Sequence, residues 1–244
     1  MVNIFNRKKL KNKRKVNKKV SEKDGKILSE QSTFDIVESY KELRTNVMFS
    51  ISGEAGKVIA LTSGSASEGK STNVVNLSIS FAETGAKVII IDCDLRRPNV
   101  ERLLGVNKSE GLTNYLVNNI TLDNAILKSV YNNLDVITAG TIPPNPSELL
   151  LSKKMSDLIE ELRKSYDYIF LDTPPVNVVT DASLLSKFTD GYIVVVKQGY
   201  AEKSILAETI KKLNFIDTKI LGIIFNNVNQ SKRSYKNNYV YDAQ

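Results

Sequence analysis

The chain has 244 residues, of which 41% are hydrophobic and 25% are charged, a composition typical of one ordinary globular domain. Its single cysteine, Cys93, excludes an intrachain disulfide, and the absence of histidine removes the commonest general base and transition-metal ligand. No apolar stretch approaches the ~20 residues that cross a bilayer, and no secretory signal follows the first charges, so we expect a cytoplasmic protein.

The basic character of the chain is concentrated at its N-terminus. Residues 1–26 carry eleven lysines and arginines against two acidic residues, a net charge of +9, so the remainder carries −2 of the total +7. We therefore predict a flexible basic arm over residues 1–30, and no nucleic-acid partner for the body. The arm is either simply solvated or docks on an anionic membrane surface or acidic partner segment, where each basic residue contributes roughly 1 kcal/mol.

From about residue 57, short β-branched runs alternate with longer stretches of helical period. This pattern predicts an α/β body over residues 31–230, with a mostly parallel twisted sheet and helices on both faces. A short helix is predicted around Ser39 to Phe49, and later helices begin near Gly69, Ser147, Asp181 and Glu202. The predicted strands are Val58 to Thr62, Val88 to Asp92, Leu134 to Thr138, Tyr168 to Asp172, Tyr192 to Val196 and Ile220 to Phe225.

A phosphate-binding loop is predicted between the first strand and the first long helix. The segment GSASEGKS matches the P-loop pattern GxxxxGK[ST]. We expect its backbone N–H groups to surround the phosphates of ATP, with Lys70 reaching the β and γ phosphates and Ser71 binding Mg²⁺. The predicted nucleotide-binding residues are Gly64, Ser65, Ala66, Ser67, Glu68, Gly69, Lys70, Ser71 and Thr72.

Three aspartates end two of the predicted strands. Asp92 and Asp94 close the run VIIIDCD, and alternate residues of a strand share a face. Asp172 ends the strand YIFLD, the expected form of a Walker B strand that organises Mg²⁺. Because ligands of such sheets bind at the carboxyl ends of the strands, all three carboxylates are predicted to lie near the phosphates.

The last residues of the chain are polar and rich in tyrosine. The predicted flexible tail, residues 231–244, contains Tyr235, Tyr239 and Tyr241. Tyrosine usually belongs in cores and interfaces. Because this polar tail offers no core, we predict that these side chains serve in an interface or as substrates.

From about Ser39 to its end, the chain resembles the bacterial tyrosine kinases of capsule and exopolysaccharide synthesis, in the separate cytoplasmic form of Gram-positive bacteria. The resemblance rests on the P-loop, the motif IDCDLRRP, the strand YIFLDTPP, the segment GTIPPNPSELL and the tail tyrosines. It implies a P-loop NTPase fold of the MinD/ParA-like superfamily. It also implies a kinase that uses ATP and Mg²⁺ to phosphorylate tail tyrosines of a neighbouring subunit and thereby regulates polysaccharide synthesis and export.

The resemblance implies a role for each residue of the site. Lys70 would bind phosphates; Ser71, Asp94 and Asp172 would bind Mg²⁺; and Asp92 would accept the proton of the attacking tyrosine hydroxyl. Since the chain has no histidine, a carboxylate beside the γ-phosphate is the remaining candidate base.

Four other polar residues are also candidates for the site. Arg96 and Arg97 either stabilise transferred charge or form structural ion pairs. Asn226 and Asn227 follow the last predicted strand, and their position alone makes them weak candidates to bind adenine.

The resemblance also implies partners. In the family a glutamate and two arginines at a spacing of three join subunits into a ring. This chain offers Glu38, Lys41 and Arg44 on one helical face, with a lysine that cannot make the bidentate fork of arginine. A membrane-anchored activator protein would recruit the chain to the inner face of the membrane through its cytoplasmic segment, and a phosphotyrosine phosphatase would reverse the modification.

Two other functions compete with the kinase. A MinD/ParA-like ATPase switch has no protein substrate, but such ATPases carry a second lysine five positions before the P-loop lysine, where this chain has Ser65. A non-catalytic adaptor would use ATP only for assembly with a membrane partner. The tyrosine tail and the complete set of acidic residues favour the kinase.

Overall fold

The computed structural model describes residues 27–53, 56–106 and 110–228. Most of the predicted arm and all of the predicted tail, with its three tyrosines, lie outside these residues. Ile27 and Leu28, which the predicted boundary at residue 30 assigns to the arm, are both only 5% exposed. The Leu28 N–H donates to Asn76 Oδ1 at 2.9 Å. The packed part of the chain therefore begins before residue 31.

Among the described residues, seven strands form a single sheet. They are β1 (Lys57–Ser63), β2 (Val88–Asp92), β3 (Leu127–Lys128), β4 (Leu134–Ile137), β5 (Tyr168–Asp172), β6 (Gly191–Lys197) and β7 (Ile220–Asn226). The spatial order is β3-β4-β2-β5-β1-β6-β7, parallel throughout except for the β3 and β4 pair. The predicted mostly parallel α/β sheet is confirmed. The additional strand, β3, is too short to show a periodic pattern.

The described helices differ more from the prediction than the strands do. They are α1 (Phe34–Ser50), α2 (Lys70–Ala82), α3 (Val100–Leu104), α4 (Leu112–Leu116), α5 (Leu122–Ala125), α6 (Pro146–Leu150), α7 (Lys153–Ser165), α8 (Asp181–Leu184) and α9 (Lys203–Phe215). Helix α1 is longer than predicted, and the helix predicted near Ser147 is divided into α6 and α7. Helices α3 to α5 have four or five residues each, too few to show a helical period.

The sheet separates two hydrophobic cores. In β1, Val58 and Ala60 face one core, whereas Ile59 and Leu61 face the other, because successive side chains of a strand point to opposite faces. Strands β1, β2 and β5 are buried almost throughout. Helices α7 and α9 supply the first core, and α1, α2 and α3 supply the second, so helices cover both faces as predicted. No described helix is long and apolar enough to span a bilayer.

Helix α7 shows how local sequence specifies this packing. Ser152 caps its start, because the Ser152 Oγ accepts a hydrogen bond from the Met155 N–H at 3.2 Å. The buried residues Met155, Leu158, Ile159 and Leu162 follow the spacing of one helical face. The helix therefore packs that face on the sheet and exposes its charged residues.

One arginine joins α7 to the amino-terminal edge of the sheet. The Arg163 guanidinium donates to both carboxylate oxygens of Asp190, at 2.7 and 3.0 Å. It also donates to the carbonyls of Gly56, at 2.7 Å, and Phe188, at 3.0 Å. Position 56 requires glycine, because a Cβ there would lie 2.5 Å from the Arg163 Cα. The Asp190 carboxylate also accepts the Val58 N–H at 2.7 Å.

We expect Arg163→Met to lower the free energy of unfolding by about 2 kcal/mol, because it removes the cationic partner of a partly buried carboxylate and one donor to each of two carbonyls. Chemical denaturation measures this loss. Lys153→Met is the matched control, because it removes an exposed ion pair with Asp157 on the same helix, and we expect it to cost under about 0.5 kcal/mol. Equal losses in the two variants would contradict the structural role of Arg163.

Candidate active site

The predicted acidic residues meet at the carboxyl edge of the sheet. Strand β5 lies between β2 and β1, and Asp92 and Asp172 are direct register partners on β2 and β5. Leu61 of β1 pairs with Asp172 on the other side, two residues before β1 ends. The loop that leaves β1 therefore starts beside Asp172, with Asp92 one strand further along the same edge.

The P-loop connects β1 to α2 through two residues in left-handed conformations. Ser67 has φ of 61° and Gly69 has φ of 95°, the latter immediately before α2 begins at Lys70. A Cβ at position 69 would clash with the side-chain amide of Asn226, so glycine is required there for both conformation and space. Lys70 is buried, with 7% of its surface exposed.

The Glu68 side chain supports the P-loop by accepting hydrogen bonds from backbone N–H groups. Its side chain is 1% exposed, and its two oxygens accept hydrogen bonds from the backbone N–H groups of Ser65, at 2.7 Å, and Lys197, at 3.1 Å. The Ser65 N–H is thereby used inside the protein. The structure thus assigns the Glu68 side chain to loop support, although the sequence pattern places both residues among the phosphate-binding set.

Two asparagines hold the carbonyl groups of the loop. Asn226 Nδ2 donates to the Glu68 carbonyl at 2.8 Å, and Asn73 Nδ2 donates to the Gly69 carbonyl at 2.9 Å. In a trans peptide the C=O and the following N–H point in opposite directions. These contacts therefore aim the N–H groups of Gly69 and Lys70 away from the asparagines, as a phosphate cradle requires. The side-chain amide of Asn226 is committed to this loop, whereas Asn227 is exposed.

Asp92 is held by backbone N–H groups. Its Oδ2 accepts from Asn99 and Val100, both at 3.1 Å, and its Oδ1 accepts from Asp94 at 3.2 Å. Burial raises the pKa of Asp92 well above its ordinary value, and the neighbouring Asp172 raises it further. Asp92 is therefore a fixed carboxyl group with an unusually high proton affinity.

Asp172 and Asp94 provide oxygen ligands that suit Mg²⁺. Neither Asp172 oxygen has a protein hydrogen-bond partner of normal geometry among the described residues, although Asp172 is fully buried. Burial raises the pKa of Asp172 to about 7, while the nearby Ser71 hydroxyl and Lys70 ammonium lower it. Burial likewise raises the pKa of Asp94, and the Arg97 N–H bound to it at 3.0 Å opposes this shift. An unpartnered buried carboxylate of this kind fits a cation or its bound water.

No group of three or more carboxylate, thiol or imidazole side chains is arranged as a complete metal cage in the described part of the chain. A cation at this edge would therefore need phosphate oxygens and water as further ligands. Mg²⁺ is usually bound in this way, through one or two carboxylates and the phosphates of its nucleotide.

The two adjacent arginines have different environments. Arg96 donates to both carboxylate oxygens of buried Asp181, at 2.7 and 3.2 Å, and Ser147 Oγ also donates to Asp181, at 2.6 Å. Of the two predicted alternatives, Arg96 is therefore in a structural ion pair. Arg97 is exposed, and its guanidinium is left for a ligand or partner. Nothing in the sequence pattern indicates Asp181 as the partner.

The predicted subunit-contact residues are not equivalent. Glu38 and Lys41 form an exposed ion pair at 2.8 Å. Arg44 instead donates to the backbone carbonyl of Ser80 on α2, at 2.5 Å, and to its hydroxyl, at 3.2 Å. Arg44 therefore joins α1 to the body, and only the first two side chains lie free on the helix surface.

Comparison with known proteins agrees with this geometry. A family model for the AAA domain matches residues 56–223. The septum site-determining protein MinD from Pyrococcus horikoshii, solved with Mg-ADP, superposes with a TM-score of 0.61 and 28% identity over 73% of each chain. The fold and the loop together define a P-loop nucleotide-binding protein, as predicted.

Two proteins of higher sequence identity identify the family within this class. The tyrosine-protein kinase YwqD of Bacillus subtilis is 40% identical over 197 residues, which are 81% of this chain and 83% of that protein. The crystal structure of the chimerical protein CapA2B2 superposes with a TM-score of 0.78 and 36% identity, covering 82% of this chain and 88% of that one. The chain belongs to the family of bacterial tyrosine-protein kinases, which confirms the resemblance in its motifs.

We expect the stability of the nucleotide-free and magnesium-free protein to depend on Asp172. Because the folded pKa of about 7 exceeds the ordinary value of 3.8, the folded state holds a proton that the unfolded state has already released. The resulting stabilisation is complete below about pH 4 and is lost as the pH rises through about 7.

Asp172→Asn removes this titration. The free energy of unfolding of the variant minus that of the wild type should therefore be larger at pH 8 than at pH 5, by about 2 kcal/mol. Urea unfolding at both pH values in the presence of EDTA measures the difference. Asp123→Asn, an exposed change on α5, is the control and should keep the wild-type pH profile. If Asp172→Asn kept the wild-type pH dependence of the free energy of unfolding, the assignment of a raised pKa to the buried Asp172 carboxyl would be contradicted.

Proposed function

We propose that the protein is an ATP-dependent tyrosine kinase that transfers the γ-phosphate of ATP to Tyr235, Tyr239 and Tyr241 of its own tail, on a neighbouring subunit. The observation that carries the proposal is the convergence of a braced P-loop with the register pair Asp92 and Asp172 at one sheet edge. Family membership supports the same chemistry.

The site residues suit an in-line phosphoryl transfer. A tyrosine oxygen would bond to the γ-phosphorus while the bond from that phosphorus to the bridging oxygen of ADP breaks. Asp92 would take the hydroxyl proton, in keeping with the raised pKa of Asp92. Lys70 and the N–H groups of Gly69 and Lys70 would bind the phosphate oxygens.

The residues that would hold Mg²⁺ are Ser71, Asp94 and Asp172. When bound, the ion would neutralise charge on the β and γ phosphates. Asp172, whose oxygens have no hydrogen-bond partner of normal geometry among the described residues, would coordinate the ion or accept a hydrogen bond from its water. Asp94, bound on one side by the Arg97 N–H, would remain oriented toward Lys70, which lowers the pKa of Asp94.

The tail is long enough to reach either its own site or that of a neighbour. Strand β7 lies three strands from β5 in the sheet, about 14 Å at the usual strand spacing. Tyr235 follows residue 228, the last described position, by seven residues, and such a segment spans at most about 25 Å. Distance alone therefore does not select a subunit, and transfer between subunits is the expectation from the family resemblance.

The same resemblance supports a place for the kinase in capsular and exopolysaccharide synthesis and export. A membrane-anchored activator would recruit it to the inner membrane face, with the basic arm docking on anionic lipid, and a phosphotyrosine phosphatase would remove the phosphates. One similar solved structure is itself a chimerical protein, which suits a kinase that works joined to a second chain. The exposed pair Glu38 and Lys41 would contribute to a ring of subunits.

A MinD-like ATPase switch is the alternative, because a solved MinD shares the fold and binds Mg-ADP. The P-loop of this chain has Ser65 where that superfamily's second lysine would lie, and Ser65 donates its N–H to Glu68 within the loop. Position 65 thus has a local structural role here.

Phosphate transfer distinguishes the two functions. We expect wild-type protein incubated with ATP and Mg²⁺ to acquire phosphotyrosine at the tail positions, located by mass spectrometry, and Lys70→Met to acquire none. Hydrolysis of ATP without tail phosphate, even with the cytoplasmic segment of an activator added, would contradict the kinase and favour the switch.

A mixture tests transfer between subunits. One variant carries Lys70→Met with an intact tail, and the other carries an intact site with Tyr235→Phe, Tyr239→Phe and Tyr241→Phe. Each variant alone should remain free of tail phosphate. Phosphotyrosine on the mixture is the expected result, because only transfer between chains can produce it.

A further inference from the structure

A chain of hydrogen bonds leads from α1 to the P-loop. The Tyr40 hydroxyl, on α1, donates to Asn73 Oδ1 at 3.0 Å. Asn73 Nδ2, on α2, donates to the Gly69 carbonyl at 2.9 Å. Asn76 Nδ2, one turn further along α2, donates to the Tyr40 oxygen at 3.0 Å. A side chain outside the nucleotide site is thus two hydrogen bonds away from the loop that would bind phosphate.

The donors and acceptors define one direction for this chain. A tyrosine hydroxyl has a single hydrogen, and since Asn76 supplies a hydrogen to its oxygen, that single hydrogen is directed to Asn73. The Asn73 amide oxygen is therefore occupied, which leaves its NH₂ group for the Gly69 carbonyl. Tyr40 in this way fixes which end of the Asn73 amide faces the P-loop.

The Asn73 contact acts on a phosphate donor. The Gly69 carbonyl and the Lys70 N–H belong to the same trans peptide and point in opposite directions. The Asn73 backbone N–H already donates to the Gly69 carbonyl at 3.0 Å, and the side-chain amide adds a second donor, so that both hold the carbonyl toward Asn73 and aim the Lys70 N–H toward the inside of the loop. A donor that is already aimed needs no reorganisation when an anion binds, so the orientation of Asn73 affects affinity for a polyphosphate.

Helix α1 buries few apolar side chains completely, since Val37, Tyr40 and Leu43 pack against the core but are only partly buried. Val47 is its one buried residue, and Arg44 binds Ser80 of α2 through its carbonyl and hydroxyl. Near the ends of α1, Phe34 is 76% exposed and Phe49 is 88% exposed. A helix held in this way can shift at small cost in buried apolar area, and the Tyr40 to Asn73 bond would break when it does.

We propose that Tyr40 is a positioning residue that couples the docking of α1 to the affinity of the P-loop for nucleotide. The proposal rests on the nucleotide site of the proposed function and adds a regulatory element outside it. If α1 also contacts a neighbouring subunit through Glu38 and Lys41, the coupling is reciprocal, so that nucleotide binding also favours the docked helix.

Tyr40→Phe tests the coupling, because it keeps the ring and removes only the hydroxyl. We expect its dissociation constant for a fluorescent ADP analogue with Mg²⁺ to rise about fivefold, the effect of one hydrogen bond. Tyr166→Phe is the matched control: the Tyr166 hydroxyl donates to Asp135 Oδ2 at 2.7 Å, and Tyr166 packs against the core on the opposite face of the sheet from Tyr40. Its affinity should match the wild type.

Thermal unfolding without nucleotide separates coupling from general destabilisation. A structural role alone would lower the melting temperature of both tyrosine variants and leave both affinities unchanged, which would overturn the proposal.

A double-mutant cycle tests the route through Asn73. In an Asn73→Ala background, Tyr40→Phe should have no further effect on nucleotide affinity, because the intermediate side chain is gone. A full fivefold loss in that background would show a different route and overturn the proposal as stated. Wild-type protein that bound no nucleotide would instead contradict the proposed function itself, and with it the site on which this coupling acts.

Discussion

The candidate site depends on two buried carboxylates that lie side by side at the carboxyl edge of the sheet. Asp92 and Asp172 are register partners on adjacent parallel strands, and both are fully buried. Burial raises the pKa of both carboxyl groups, and Asp172 raises that of Asp92 further, so ionisation must be compensated by nearby donors or cations. Asp92 has backbone N–H donors, and the Lys70 ammonium acts on Asp172. Within the described part of the chain, the oxygens of Asp172 have no hydrogen-bond partner of normal geometry, and a divalent cation beside a polyphosphate would complete this arrangement.

The P-loop is the second constraint, and it is supported by elements far apart in sequence. β6 provides the Lys197 N–H that binds Glu68, β7 provides Asn226, and α2 provides Asn73, which Tyr40 of α1 holds in turn. A cradle of backbone N–H groups binds an anion well only when the peptide planes are fixed beforehand. The sheet order makes this support of the P-loop possible, because β1, which leads into the loop, lies between β5, which ends in Asp172, and β6, which ends in Lys197.

Much of this site is predictable from sequence, for reasons that also explain the failures. Buried parallel strands are continuous apolar runs, so the polar residue that ends each run, such as Asp172, is conspicuous, and the P-loop has a short local pattern. The Arg96 to Asp181 pair joins residues 85 positions apart, and although Arg96 belongs to the motif IDCDLRRP, no local pattern indicates Asp181 as its partner. Spacing does place Arg44 on the same helical face as Lys41, but spacing cannot show that Arg44 turns inward to Ser80.

The buried carboxylate at the end of β5 would contribute to nucleotide binding through a metal ion. Isothermal titration of ADP at pH 8, with and without Mg²⁺, tests it most directly in the wild type and in Asp172→Asn. We expect Mg²⁺ to strengthen ADP binding about tenfold or more in the wild type, which corresponds to about 1.4 kcal/mol, and to have little effect in the variant. Equal enhancement by Mg²⁺ in both proteins would contradict it.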